Sequence, residues 1–254
     1  MKWDIIPINT GALRSHHENL VYGAPVETVK IPCIVWILKS RETGEVILVD
    51  AGPTDDQAWA TKYHVPLERE AGQTLEEELV RHGLKPDDIR TVLVTHLHWD
   101  HAYGLLKLKN AEIIVQRREI QYAVAAEPIV EAKRFEADIK TTLPYFLQCW
   151  PQMTFIDGDA EIRPGSKAVF LPGHSPGSMG VLIDTAQGPY LMPADLINLE
   201  ENWIDRKICG AGTSLDEARD SLAKVERIVA DTGAVVLPSH DFVAFELLKD
   251  FIQQ

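Results

Sequence analysis

Cysteine is scarce in this sequence, with three among 254 residues. Cys33, Cys149 and Cys209 are widely separated, and no two of them form a C-x-x-C pair. An odd number of distant cysteines in a chain of this length does not indicate a disulfide framework. The sequence therefore predicts three buried or idle thiols in a reducing compartment.

Positive charge is also in short supply. The chain has 25 lysines and arginines against 38 aspartates and glutamates, which gives a formal net charge of −13. Nucleic-acid binding requires a basic face for the phosphates, and this composition argues against one. We therefore expect a soluble protein with no nucleic-acid partner.

Long apolar runs are missing as well. No stretch approaches the roughly 20 apolar residues of a membrane-spanning helix. The first residues contain Asp4 and Pro7 in place of a long apolar segment, so we expect no secretory signal. We accordingly predict no membrane partner and a cytoplasmic location. Since 45% of the residues are hydrophobic, we expect one domain over residues 1–254 with a large core.

What the sequence does contain is a dense group of candidate metal ligands. Residues 91–95 are apolar or β-branched and predict a buried strand. His96, His98, Asp100 and His101 follow directly, at a spacing that suits a tight loop and does not fit one face of a helix. Burying these side chains together is costly unless a cation compensates them. This stretch therefore predicts a metal-binding loop.

Three later residues stand in the same position relative to a predicted strand. His174, Asp195 and His240 each come within a few residues of the end of a short apolar segment. A single residue of this kind is commonly part of a turn. Because the placement recurs, we predict that these residues join the same site as the loop at 96–101.

Together the candidates supply five imidazoles and two carboxylates, enough for two metal ions. A nitrogen and oxygen donor set suits Zn²⁺, with Fe, Mn or Co as alternatives. We therefore predict two divalent metal ions as cofactors, with zinc as the first expectation. The expected assignment is His96, His98 and His174 for one ion, Asp100, His101 and His240 for the other, and Asp195 as the bridge.

Two further polar positions are open to more than one interpretation. His16, His17 and Glu18 are interpreted as a solvated loop within a polar segment at residues 14–28. Asp50 ends a predicted strand, where it could hydrogen-bond a ligand histidine or could cap a turn.

The remaining pattern predicts two β-rich halves, roughly residues 1–116 and 151–254, joined by a mostly helical insertion at 117–150. Two such halves suggest sheet packed on sheet with helices outside, an α/β (α+β) fold. The predicted strands of the first half are 3–10, 31–38, 46–50, 91–95 and 113–115. Those of the second half are 153–156, 168–171, 179–183, 190–192 and 235–237. The predicted helices, besides the insertion, are 74–82, 215–230 and 242–252.

The pattern His96-x-His98-x-Asp100-His101, followed by His174, Asp195 and His240, resembles the metallo-β-lactamase superfamily over essentially the whole chain. Within it, the chain is most similar to the N-acyl homoserine lactonases, also called quorum-quenching lactonases. The resemblance implies an αββα four-layer sandwich, a dinuclear metal site and hydrolysis of a cyclic ester. The features that carry the closer similarity are Ile31-Pro32, the segment at residues 115–119, Glu201-Asn202 after Asp195, and His240-Asp241.

One position departs from that lactonase pattern. A tyrosine that contacts the lactone stands three residues after the bridging aspartate in lactonases of this family, and here the position is Asn198. An amide can donate a hydrogen bond to a carbonyl, but it cannot supply a proton as a phenol can. Tyr103 is a nearby alternative. Tyr122 and Phe146, from the aromatic residues of the insertion, are further expected substrate contacts.

The expected reaction is opening of a lactone ring, with N-acyl homoserine lactones as the first choice, by attack of a hydroxide that bridges the two metals. Asp100 is expected to pass a proton to the leaving oxygen, and Asn198 to assist at the carbonyl. Another lactone, a cyclic amide or a thioester remains an alternative substrate. A metal-binding sensor without catalysis is a further alternative, and homodimer formation is left open.

Overall fold

The computed structural model describes residues 1–124 and 144–248, and twelve strands lie within these ranges. They fall into two sheets, one of seven strands and one of five. The strands are β1 (Trp3–His16), β2 (Thr28–Ser40), β3 (Val46–Val49), β4 (Leu67–Glu68), β5 (Thr91–Leu93), β6 (Glu112–Gln116), β7 (Met153–Ile156), β8 (Ala160–Arg163), β9 (Ser166–Phe170), β10 (Met179–Thr185), β11 (Gly188–Met192) and β12 (Val235–Val236).

The seven-stranded sheet has the order β4-β1-β2-β3-β5-β6-β7, and the five-stranded sheet has the order β12-β11-β10-β9-β8. In the first sheet, β1, β2 and β3 pair in antiparallel fashion, whereas β3, β5, β6 and β7 run parallel. Parallel strands present their carboxyl ends at one edge of a sheet. The loop that follows β5 therefore emerges next to the ends of β3 and β6.

Helices cover the outer faces of both sheets. Most of the described helices are short, and the longest of them, Leu215–Thr232, packs beneath the five-stranded sheet. The α-helices of the described residues are α1 (His17–Leu20), α2 (Gln57–Tyr63), α3 (Leu75–Arg81), α4 (Trp99–Ala102), α5 (Arg117–Val124), α6 (Tyr145–Gln148), α7 (Glu200–Ile204), α8 (Leu215–Thr232) and α9 (Val243–Leu247).

Strand alternation divides the apolar side chains among three layers of core. Ile47 and Val49 of β3 pack between the two sheets, whereas Leu48 points to the opposite face and joins the helices there. Under the second sheet, Leu222 and Val225 of α8 complete the third cluster. The resulting order of layers is helix, sheet, sheet, helix. The expected αββα sandwich is confirmed.

Local expectations for α3 and α8 also hold. The Thr74 hydroxyl accepts from the Glu77 amide at 3.2 Å, and the Glu77 carboxylate accepts from the Thr74 amide at 3.1 Å. This capping box satisfies amide groups that have no partner within the helix. Helix α8 runs to Thr232, slightly beyond the predicted end at residue 230, and Gly233 follows with φ +72°. Left-handed backbone of this kind is accessible to glycine and ends the helix.

Several sequence expectations need correction. Strand β7 pairs in parallel with β6 of the first sheet, so the boundary between the sheets falls after Ile156 and not at residue 151. Strand β8 was not predicted, and β1 continues to His16 through the segment expected to be a polar loop. Helix α9 ends at Leu247. Within the insertion, α5 and α6 are helical as expected, while residues 125–143 lie outside the described part.

The three cysteines are all buried and unpaired, as the sequence predicted. Among the residues that the structure describes, no helix has both the length and the apolar character needed to cross a bilayer. The cytoplasmic location stays a prediction.

Candidate metal centre

The structure brings all seven predicted ligands to one place at the strand ends. Every ligand atom of a group lies within 4.8 Å of the other two atoms of that group. Six of the seven residues are buried, and Asp100 is partly exposed. The three groups are His96, His98 and His174; His96, His101 and Asp195; and Asp100, His101 and His240.

In the first group, three imidazole nitrogens converge. His98 Nδ1 lies 3.0 Å from His96 Nε2 and 2.9 Å from His174 Nε2. His96 and His98 come from the loop after β5, and His174 comes from the turn after β9. Each neutral imidazole carries one lone pair, so three nitrogens this close suit a shared cation.

The second group combines two imidazoles with a carboxylate. His101 Nε2 lies 3.1 Å from His240 Nε2, and Asp100 Oδ2 lies 3.7 Å from each of these nitrogens. His240 follows β12, so this group also joins the two sheets. The donors again fit a divalent cation such as zinc.

Asp195 lies between the two groups. Its Oδ2 atom is 3.4 Å from His174 Nε2 and 3.3 Å from His240 Nε2, and its Oδ1 atom is 3.3 Å from His101 Nε2. Oδ1 is buried and accepts no hydrogen bond. The preceding residue, Ala194, has a φ of +52°, an unfavourable conformation for alanine that directs Asp195 inward. A buried carboxylate oxygen in this position fits a bridge between two cations.

The outward-facing nitrogens of two ligands contact main-chain oxygens. His174 Nδ1 lies 2.7 Å from the Ala211 carbonyl oxygen, and His240 Nδ1 lies 2.8 Å from the Pro32 carbonyl oxygen. A carbonyl can only accept, so Nδ1 must carry the proton in both rings. When these rings are neutral, as metal ligation requires, their Nε2 atoms carry no proton and point to the centre.

Asp50 orients two further ligands from the end of β3. Its Oδ2 atom lies 2.8 Å from His101 Nδ1 and accepts from the Thr95 hydroxyl at 2.9 Å. The same hydroxyl oxygen lies 3.1 Å from His96 Nδ1, which can donate to it. The sequence left Asp50 open between a ligand contact and a turn cap, and the structure shows the ligand contact.

Burial and charge set the protonation of the centre. Burial, together with the neighbouring His101, holds the pKa of His96 well below its usual value. Burial also lowers the pKa of His101, but the carboxylates of Asp195, Asp100 and Asp50 outweigh it and hold that pKa well above the usual value. Burial raises the pKa of Asp195, yet the facing histidines bring it well below the usual range. The carboxylates therefore create a site that favours positive charge.

A cleft of about 250 Å³ opens over this centre. The candidate ligands that border it include Asp100, His174, Asp195 and His240. His64 also borders it, and its ring stacks on that of Trp99 at 5.0 Å between centroids with an interplanar angle of 17°. The apolar side chains of its wall are Leu13, Leu20, Ile31, Val65 and Trp99.

Asn198 borders the cleft but is 2% exposed. Its amide nitrogen donates to the Leu20 carbonyl at 2.9 Å and to the Asp195 carbonyl at 3.2 Å. An amide nitrogen has two N–H groups, and both are engaged here. Donation to a substrate carbonyl, as expected from the sequence, would require one of these bonds to break.

The other expected substrate contacts lie away from the cleft lining. Phe146 is 1% exposed and belongs to the core beneath the first sheet, against which Tyr103 and Tyr122 also pack. The Tyr103 ring lies 4.9 Å from Trp59 and 4.8 Å from Tyr145. Aromatic rings therefore surround Tyr103, and the expected substrate contacts of Tyr103, Tyr122 and Phe146 stay predictions.

His17 is not part of a solvated loop, contrary to the sequence interpretation. It begins α1, its Nε2 atom lies 2.8 Å from Glu201, and its Nδ1 atom lies 3.2 Å from Glu27. The contact with Glu201 links α1 to α7. Because α1 carries two cleft residues, Asn19 and Leu20, this link helps to fix one side of the cleft.

Two residues with a structural part in the centre were not singled out from the sequence. Glu119 is completely buried and accepts from the Leu97 amide at 2.9 Å, and the Tyr145 hydroxyl donates to the Leu97 carbonyl. Leu97 lies between two ligand histidines. A sequence signal exists for Glu119, because it shares the buried face of α5 with Ala123 four residues later.

Comparison with known proteins agrees with this arrangement. The family model described as the metallo-beta-lactamase superfamily matches residues 31–240. The chain is 28% identical over 226 residues to an N-acyl homoserine lactonase of Bacillus thuringiensis, covering 85% of this chain and 84% of the relative. It is 30% identical over 171 residues to N-acyl homoserine lactonase AttM of Azorhizobium caulinodans, covering 66% of this chain and 64% of that protein.

Solved structures show the same likeness in three dimensions. A mutant of AiiA from B. thuringiensis, with N-decanoyl-L-homoserine bound at its active site, superposes with a TM-score of 0.81. The match has 25% sequence identity and covers 97% of both chains.

Proposed function

The chain belongs to the metallo-beta-lactamase superfamily, and from that premise we propose that it opens lactone rings, with N-acyl homoserine lactones as its substrates. It is an enzyme of the hydrolase class, as its lactonase relatives are. The observation that carries the proposal is the convergence of seven nitrogen and oxygen donors beside a cleft with an apolar wall, where His98, Asp100, His174, Asp195 and His240 line the cleft itself.

The donor set fits two divalent metal ions, since the ligand lone pairs face inward and one Asp195 oxygen accepts no hydrogen bond. Bound ions would supply a water molecule with a pKa lowered to about 7 and a positive charge to polarise the substrate carbonyl. We propose Zn²⁺, while Fe, Mn and Co suit the same donors. The proposed assignment is His96, His98 and His174 for one ion, Asp100, His101 and His240 for the other, and Asp195 as the bridge.

Asp100 is placed to handle the proton of the leaving group. Its side chain is 13% exposed, more than the 8% of Asp195 and the 4% of Asp50, and it borders the cleft. Ring opening releases an alkoxide that must take up a proton, and a carboxyl group within reach can deliver it. We propose that the Asp100 carboxylate takes up the proton that the attacking water loses and passes it to the leaving oxygen.

Asn198 supports the centre from beside Asp195. Its amide hydrogen bonds hold the Asp195 main chain and the end of α1 together. Both segments contribute to the cleft, through Asp195 and Leu20. In our proposal Asn198 fixes the position of the bridging carboxylate relative to one wall of the cleft. It can contact a substrate carbonyl only by exchanging one of these bonds.

The residues of the cleft wall suit an acylated lactone as the substrate. Leu20, Ile31 and Val65 can take up an alkyl chain, because apolar surface gains free energy when it leaves water. Ser15 and Asn19 border the same space and can bond the polar amide that joins chain to ring. A substrate with a polar ring over the metals and an apolar chain along the wall matches this distribution.

A substrate panel tests the proposal. Purified protein with measured metal content is followed in a pH-stat with N-acyl homoserine lactones, simple lactones, thioesters and β-lactams. We expect proton release with the acyl homoserine lactones at a higher kcat/KM than with the other classes. Preference for a thioester or β-lactam would contradict the substrate assignment. Absence of turnover with every ester, despite two bound metals, would favour a metal-binding sensor.

A further inference from the structure

Glu119 is a buried carboxylate with no part in the proposed reaction. It is the third residue of α5, directly behind β6, and it is 0% exposed. A buried carboxylate is costly unless donors compensate it. Its partners therefore indicate what it does for the protein.

The Glu119 carboxylate bonds the two chain segments that carry the first ligand group. Oε1 accepts from the Leu97 amide at 2.9 Å. Oε2 accepts from the Ser175 hydroxyl at 2.6 Å and from the Gly177 amide at 3.0 Å. Leu97 separates His96 from His98, and Ser175 follows His174. One side chain thus connects the loop that carries His96 and His98 with the turn that carries His174, two segments far apart in sequence.

The fold is shaped to bring these segments together. A Cβ atom at Gly177 would lie 2.2 Å from the main-chain nitrogen of Glu119 and 2.4 Å from its Cα. Only glycine allows this approach, because real Cβ contacts are not that short. The turn after His174 therefore sits directly on the start of α5.

The second ligand group takes its support from other residues. His101 contacts Asp50, and His240 contacts the Pro32 carbonyl. The bonds of Glu119 go to the neighbours of His96, His98 and His174. We therefore expect the loss of Glu119 to affect the first ligand group more than the second.

We propose that Glu119 is a positioning residue that sets the distance between the His96–His98 loop and the His174 turn. It thereby determines the metal affinity of the first ligand group, which is His96, His98 and His174. The inference rests on the metal centre of the proposed function. It adds that the two metal positions differ in their support, since Glu119 bonds only the neighbours of His96, His98 and His174, and that loss of Glu119 weakens one position more than the other.

Glu119→Gln tests this with little change in shape. Whichever way the new amide is turned, its NH₂ group meets a main-chain N–H, either that of Leu97 or that of Gly177. At least one of the three bonds is lost, and two donors face each other in its place. Glu78→Gln is the matched control, since Glu78 is 7% exposed on α3 and pairs with Arg81 at 2.6 Å, apart from the ligand set.

The measurement is Zn²⁺ titration of the full chain against a chromophoric chelator, with the absorption spectrum of Co²⁺-loaded protein as a second readout. We expect wild type and Glu78→Gln to bind two equivalents alike. In Glu119→Gln, one equivalent should bind about 10-fold or more weakly, with an altered Co²⁺ spectrum, while the other changes little.

Three results would overturn the inference. One is that Glu119→Gln binds both equivalents as wild type does, and another is that both equivalents weaken equally along with the melting temperature. If Glu119→Gln does not fold, Ser175→Ala is the second variant, and it removes one bond to Glu119 together with the contact to the Ser178 hydroxyl. It must show the same selective weakening to a smaller degree, and unchanged binding would overturn the inference. These readouts need no substrate, so failure to hydrolyse lactones would overturn the proposed function while leaving the metal result intact.

Discussion

Asp50 Oδ2 lies 2.8 Å from His101 Nδ1, with both residues buried at the end of the central strands. Asp50 also accepts from the Thr95 amide at 2.8 Å, at the start of the ligand loop. Its φ of +64° is unfavourable for a residue other than glycine. The carboxylate therefore holds both ends of the loop at residues 95–101 and keeps a negative charge against one ligand.

Asp50→Asn should weaken metal binding without removing a proposed ligand. The amide retains the size of the carboxylate but loses its charge, and its NH₂ cannot accept from His101. We expect the affinity for at least one metal equivalent to fall by about 10- to 100-fold, measured by chelator competition. Asp184→Asn, at an exposed position of β10, serves as the control. Equal affinities in the two variants would contradict the role of Asp50.

Metal removal should lower the stability of the whole domain. The ligands come from strand ends of both sheets, so bound ions connect the sheets and are lost on unfolding. A ligand at about 100 times its dissociation constant adds about 2.7 kcal/mol to the free energy of unfolding. Calorimetry with and without a chelator should show a lower melting temperature for the stripped protein, restored by Zn²⁺. Identical melting curves would contradict the link.

Val65→Asn should change substrate preference by placing an amide on the apolar wall. We expect a lower kcat/KM for a long-chain acyl homoserine lactone, equivalent to a loss of roughly 1–3 kcal/mol in transition-state stabilisation. The loss should be smaller for a short-chain substrate. Val26→Asn is the matched control, because Val26 is 78% exposed and does not line the cleft. A uniform loss for both chain lengths would argue against an acyl chain on this wall.

Gly104→Ala should destabilise the protein beside the ligand loop. An added Cβ would lie 2.1 Å from the Ala51 carbonyl oxygen, which is main chain and cannot move freely. We expect a loss of about 1–3 kcal/mol in the free energy of unfolding, measured by urea denaturation. Gly23→Ala has open space around its Cβ and a φ of +78°. This variant measures the effect of alanine on the backbone without a clash. The Gly104 variant should lose more free energy of unfolding.

The seven candidate ligands stand out in the sequence because the pattern that marks them is local. Residues 91–95 form one apolar strand, and His96, His98, Asp100 and His101 follow it without interruption. His174, Asp195 and His240 each follow a strand in the same way. The sheet order then brings these ends together, as the sandwich fold implies.

What the sequence did not reveal depends on distant partners. Glu119 bonds Leu97 and Gly177, and its spacing to Ala123 places it on the buried face of α5 but does not identify these partners. Strand β7 has only four residues, and nothing in them decides which sheet it joins. Phe146 lies in the core beneath the first sheet, and its expected contact with a substrate stays a prediction.

We propose that seven residues form one hydrolytic metal centre with Asp195 at its middle. Metal content and lactone hydrolysis measured together on wild type and Asp195→Ala test it most directly. We expect wild type to contain two metal equivalents and to hydrolyse an acyl homoserine lactone, and the variant to lose bound metal and activity together. A folded Asp195→Ala protein with two metal equivalents and full activity would contradict the claim.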